Sequence, residues 1–127
     1  MNGVQHKLNL ISEKIIEASY EVSNTLGAGF LENVYENSLF IELQAKGLFV
    51  EKQKRIEVNY KNNIVGDYYA DLLVERSIII EIKAIKTLIE IHQAQLLNYL
   101  KATNITLGLL INFGNPKVEI KRMIDSK

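Results

Sequence analysis

IIIEIKA, residues 78–84, sets a run of β-branched apolar residues, as in a buried strand, around one glutamate and one lysine. A lone charge is costly in such a place. Side chains alternate across a strand, so Ile78, Ile80 and Ile82 share one face, and Ile79, Glu81 and Lys83 the other. The preceding run, IVGDYYADLLVE (64–75), reads as a second strand, with Asp71 and Leu73 on one face and Ala70 and Leu72 opposite. A hairpin turning at Arg76–Ser77 lays the two strands side by side, so that Asp71 and Glu81 meet on a common face. Two adjacent carboxylates repel and desolvate each other, so a stable pair needs a cation between them. A lysine is one answer and a divalent metal another; hard oxygen ligands of this kind suit magnesium. Lys83, at the edge of the pair, is placed to orient water or steady a developing negative charge. On spacing alone the commoner outcome is a structural salt bridge from Lys83 to Asp71 or Glu81. Such buried pairs often give little net stability.

Outward from these strands the periods change. Leu8, Ile11, Ile15, Ala18, Val22 and Leu26 recur at steps of three and four, which predicts an amphipathic helix. The two glycines of LGAG (26–29) interrupt it, and a second helix is expected from Phe30 to Lys46, stopped by Gly47. LFVEKQKRIEVNY (48–60) alternates as a strand, KNN (61–63) is a polar turn, and the two strands already described complete an antiparallel meander. A helical period returns over 88–102; ITLGLLINF (105–113) reads as a wholly apolar central strand, and KVEIKRMI (117–124) as a short edge strand. The order helix, helix, three strands, helix, strand and a last strand predicts an α/β fold, an α+β sandwich around a mixed sheet.

The length of 127 residues suits one domain, and 47% hydrophobic with 24% charged residues is an ordinary globular composition. Zero cysteines exclude disulfides and thiolate metal sites. No apolar run approaches the ~20 residues of a membrane helix. The start, MNGVQHKLNL, lacks the pattern of a signal peptide, so a cytoplasmic protein is expected. Lys+Arg and Asp+Glu balance at 15 each, so net charge makes no case for nucleic acid. The signs nevertheless come in blocks: acidic before residue 45, basic over 46–61, acidic again over 67–81. Such blocks suit a phosphate substrate with a bound cation, or simply a mixed solvated surface.

An acid on one strand and Glu-x-Lys on the next, flanked by helices, resembles the PD-(D/E)XK nuclease superfamily. The likeness extends to GFLENVYENSL (29–39), where Gly29, Glu32 and Tyr35 match the motif of the small GxxExxY proteins. It extends further to HQAQLLNYLKA (92–102), where Gln95 and Tyr99 fit the Q-x-x-x-Y element of RecB-like nucleases. The resemblance implies a restriction-endonuclease-like core over 29–113 in a single domain of 1–127, with 1–26 as an additional helix. It implies that Asp71 and Glu81 bind Mg2+ or Mn2+, helped by the Ile82 carbonyl. Lys83 becomes the catalytic lysine, Glu32 an acidic residue of the core helix, and Gln95 and Tyr99 supports of the site or substrate contacts. Ala70 stands where the superfamily's name has proline, a lax position.

The same helical residues have plainer readings. Glu32, Tyr35, Leu39 and Leu43 form one stripe; Glu36 lies one turn after Glu32 and could share its role. Both carboxylates also favour the positive first turn of a helix. Gly29 is more safely structural. His92 precedes Gln95 and Tyr99 on one side of the third helix, and lone histidines usually serve structure. Tyr68 and Tyr69 can stack on bases, but tyrosine is an ordinary strand former. There is no Gly-rich phosphate loop, G-x-S-x-G elbow or zinc-spaced His cluster. The expected function is divalent-metal-dependent hydrolysis of phosphodiesters in nucleic acid, DNA before RNA. The alternative is a nuclease fold of weak or no activity that binds nucleic acid or protein. Small nucleases often act as homodimers, and the first helix is the candidate interface.

Overall fold

The computed structural model describes residues 3–126. Met1, Asn2 and Lys127, which belong to the expected 1–127 domain, lie outside the described residues. The elements follow in the order α1 (Gly3–Leu26), α2 (Glu32–Ala45), β1 (Val50–Tyr60), β2 (Asn63–Val74), β3 (Ile78–Lys83), α3 (Glu90–Thr103), β4 (Leu107–Asn112) and β5 (Glu119–Ile124). The strands form one sheet ordered β1-β2-β3-β4-β5. Only β3 and β4 run parallel, because α3 carries the chain back between them; the other neighbours are antiparallel. The sheet is therefore mixed, with helices on both faces, as the element order predicts.

Alternation divides the core. Ile78, Ile80 and Ile82 of β3 pack with Leu107, Leu109 and Ile111 of β4 against Ile11, Ile15, Ala18 and Val22 of α1 and Tyr35, Leu39 and Leu43 of α2. On the other face, Leu73, Ile79 and Leu110 meet Leu96, Tyr99 and Leu100 of α3. Every residue of β4 is buried, as its apolar run requires. One of them, Asn112, is fully buried and polar: its Oδ1 accepts from Ile85 N–H (3.0 Å) and its Nδ2 donates to the Ile85 carbonyl (2.8 Å). The segment that leaves Lys83 is thereby pinned two residues later.

Element ends differ from the sequence expectation in instructive ways. Helix α1 begins at Gly3, a full turn before the apolar period starts, and α2 begins at Glu32 rather than Phe30. Gly47 (φ 82) does end α2: its N–H donates to Gln44 O and the Leu48 N–H to Leu43 O, a Schellman closure. The β2–β3 turn is centred on Glu75 and Arg76, both at positive φ, and not on Arg76–Ser77. Two left-handed central residues match the twist of a tight hairpin. Ala70, expected on the face of Leu72, packs instead with Leu73 on the α3 side, so the alternation of β2 slips beside Asp71.

Candidate functional site

Antiparallel pairing of β2 with β3 runs through Val74↔Ile78, Leu73↔Ile79 and Leu72↔Ile80 and goes no further. Where the next pair would stand, side chains take over the backbone donors. The Asp71 N–H donates to Glu81 Oε1 at 3.0 Å, and the Ile82 N–H donates to Asp71 Oδ2 at 2.8 Å. A strand pair that parts in the interior leaves N–H groups that must find acceptors, and these two carboxylates supply them. Asp71 and Glu81 do meet, as the register predicts, and the meeting point is where the strands separate.

Other elements reach the same point. Glu36 of α2 and Asp71 of β2 both accept from the side-chain amide of Gln53 of β1, at 2.9 and 3.3 Å. Tyr99 of α3 is buried on the other side, its hydroxyl accepting from Gln95 Nε2 at 3.1 Å, while its ring lies 5.6 Å from that of Tyr68. The electrostatics record the crowding. Burial pushes the Glu81 carboxyl up to about 8; the Asp71 charge adds to this, and the Asp71 N–H bond and the attraction of Lys83 oppose it. Burial likewise raises Glu36, with the Gln53 bond opposing and Asp71 adding. Burial first, and then Glu81, raise the Tyr99 hydroxyl.

Lys83 is half-buried at the end of β3 and forms no ion pair among the described residues, so the simple salt-bridge reading of Glu-x-Lys does not hold. The carboxylate of α2 that approaches Asp71 is Glu36. Glu32 sits exposed at the first residue of the helix, with no hydrogen bond or ion pair among the described residues. Gly29 and Tyr35 lie in a different place. The Tyr35 hydroxyl donates to the Gly27 carbonyl (2.7 Å) and accepts from the Phe30 N–H (3.1 Å), and Gly29 has φ 116, so both shape the α1–α2 turn. Gln95 is exposed one turn before Tyr99. His92 Nδ1 accepts from the Ile89 N–H and closes the start of α3, a structural role. Tyr68 and Tyr69 are 37% and 51% exposed, so neither is a core residue.

Sequence reasoning missed Gln53 and Asn112. Asn112 had a readable signal, a lone amide in an apolar strand; Gln53 had none, because alternation says nothing about which strand residue takes a positive φ. As donors, Asp71 and Glu81 suit a hard divalent cation, since a carboxyl raised by burial and by its neighbour gains from a positive charge beside it, and Glu36 is joined to Asp71 through Gln53. Among the described residues, no three acidic or histidine side chains already converge as a complete metal cage.

A mixed sheet between helices, with an acid on β2 and Glu-x-Lys on β3 where the strands part, defines a restriction-endonuclease-like fold. A family model for the PD-(D/E)XK nuclease superfamily matches residues 9–123, and the chain belongs to that superfamily. Three solved chains match in structure. Among them the crystal structure of SSO0001 has a TM-score of 0.57 and 20% identity, covering 75% of this chain and 50% of that one. The likeness is one of fold, and the chain spans about half the length of that structure. No curated protein matches the sequence.

Proposed function

We propose that the protein is a divalent-metal-dependent nuclease that hydrolyses phosphodiester bonds in DNA. The observation that carries this is the meeting of Asp71 and Glu81 at the parting of β2 and β3, with Lys83 beside them but in no ion pair among the described residues. Asp71 and Glu81 would hold Mg2+ or Mn2+, with the Ile82 carbonyl as a further oxygen. A cation held there would supply Lewis-acid chemistry toward a phosphate oxygen and a water. Lys83 orients the attacking water and steadies negative charge as it builds. Tyr99, held by Gln95, supports the far side. Glu36 takes the helix-carboxylate role that the GxxExxY likeness gave to Glu32. Gly29 and Tyr35, the rest of that motif, maintain the turn ahead of α2. The RecB-like pair Gln95 and Tyr99 supports the same reading.

A second reading, a nuclease fold that binds nucleic acid without cutting it, is favoured by one observation. Asp71 and Glu81 are already hydrogen-bonded within the chain, and no complete cage is formed among the described residues. A panel of single-stranded, duplex and branched DNA and an RNA control, with Mg2+, Mn2+ or EDTA, separates the two. The nuclease reading expects cleavage that EDTA stops and that Asp71→Ala and Lys83→Ala abolish. Salt-sensitive binding that ignores EDTA, with no cleavage, supports the second. Sedimentation of the same protein tests the homodimer.

A further inference from the structure

Six non-glycine residues among those described have positive φ. Lys61 and Asn62 make the β1–β2 turn, Glu75 and Arg76 the β2–β3 turn, and Asn104 caps α3. The sixth, Gln53 (φ 49), lies inside a strand. A side chain with a Cβ disfavours that conformation, and it persists only where the surroundings impose it. Gln53 stands opposite Asp71, and this pair is missing from the register between Lys52↔Leu72 and Lys54↔Ala70. The slip in β2 that turns Ala70 to the α3 side occurs at the same level. The two irregularities face each other and together bring one side chain to the site.

That side chain is an uncharged double donor. Gln53 Nε2 gives one bond to Glu36 Oε1 and one to Asp71 Oδ1, while the Ile82 N–H fixes the other Asp71 oxygen. A lysine in its place would neutralise both acids and compete with a cation. A glycine would relax the backbone and lose both bonds. We propose that Gln53 is a positioning residue for the metal: its amide aligns Asp71 and joins Glu36 to it while leaving their charge for a cation. This rests on the reading that Asp71 and Glu81 bind a divalent metal.

The test is Mn2+ binding by calorimetry, with the thermal midpoint, on the full chain and on Gln53→Gly and Gln53→Asn. Both residues accept left-handed backbone, and neither can hold Glu36 and Asp71 together, since asparagine is a methylene short. The expected result is a midpoint at or above wild type with Mn2+ affinity lower by about 10- to 100-fold. A variant that folds and binds Mn2+ within twofold of wild type overturns the positioning role alone. A wild type that binds no Mn2+ overturns the metal reading and the role with it.

Discussion

Glu81 is 4% exposed, and burial together with Asp71 pushes its carboxyl up to about 8. In the unfolded chain the same carboxyl returns to its ordinary value of 4.5. Between these limits the folded state holds the proton and the unfolded state has lost it, so stability falls as pH rises. The contribution is complete below the ordinary value and gone above about 8. Its size is on the order of 5 kcal/mol at most, from the energy per unit of pKa shift. Glu81→Gln keeps an acceptor for the Asp71 N–H and removes the charge. In EDTA the variant should match wild type in urea unfolding at pH 5 and exceed it by several kcal/mol at pH 9. Equal stability at both values would show that Glu81 is not strained as a carboxylate. In Mn2+ the order should invert, because the same charge then has a cation to face.

At the scale of elements, the α1–α2 turn separates structure from site. Tyr35 is fully buried, stacked at 4.8 Å on Phe113, and its hydroxyl bridges Gly27 and Phe30. Tyr35→Phe leaves the part-buried Gly27 carbonyl and Phe30 N–H without that partner and should cost about 0.5–1.5 kcal/mol in urea unfolding. Mn2+ affinity should be unchanged, since none of the Tyr35 bonds reaches Asp71, Glu81 or Glu36. A parallel loss of affinity would instead make the turn part of the site. The same region shows what sequence could reveal. Helices were legible because each buries one stripe, β3 and β4 because they are apolar on both faces, and the stripe of α2 runs through Tyr35, Leu39 and Leu43. Glu32 and Glu36 stand one turn apart on that surface, so periodicity cannot choose between them. Their depth differs with where α2 begins: Glu32 is its first residue, exposed, and Glu36 lies a turn deeper, beside Gln53. Gln53 was illegible for a different reason: a break in pairing opposite Asp71 is a relation between two strands and leaves no mark on either alone.

At the scale of the molecule, the site joins parts that are distant in sequence. Glu36, Gln53, Asp71, Glu81 and Tyr99 come from α2, β1, β2, β3 and α3, and a cation bound among the three acids would tie α2 to the sheet. Binding of that kind to the folded state alone stabilises by about 2.7 kcal/mol at a hundredfold excess over the dissociation constant. For a chain of this size that is a rise in thermal midpoint on the order of 10 °C. Wild type should show this rise in Mn2+ and lose it in EDTA, and Asp71→Asn should show little of it. Lys83→Ala is the informative variant. If the lysine serves the reaction and not the metal, this protein keeps the full Mn2+ shift while DNA cleavage falls by about a hundredfold or more. A variant that loses shift and cleavage together would move Lys83 from chemistry to the architecture that holds the cation.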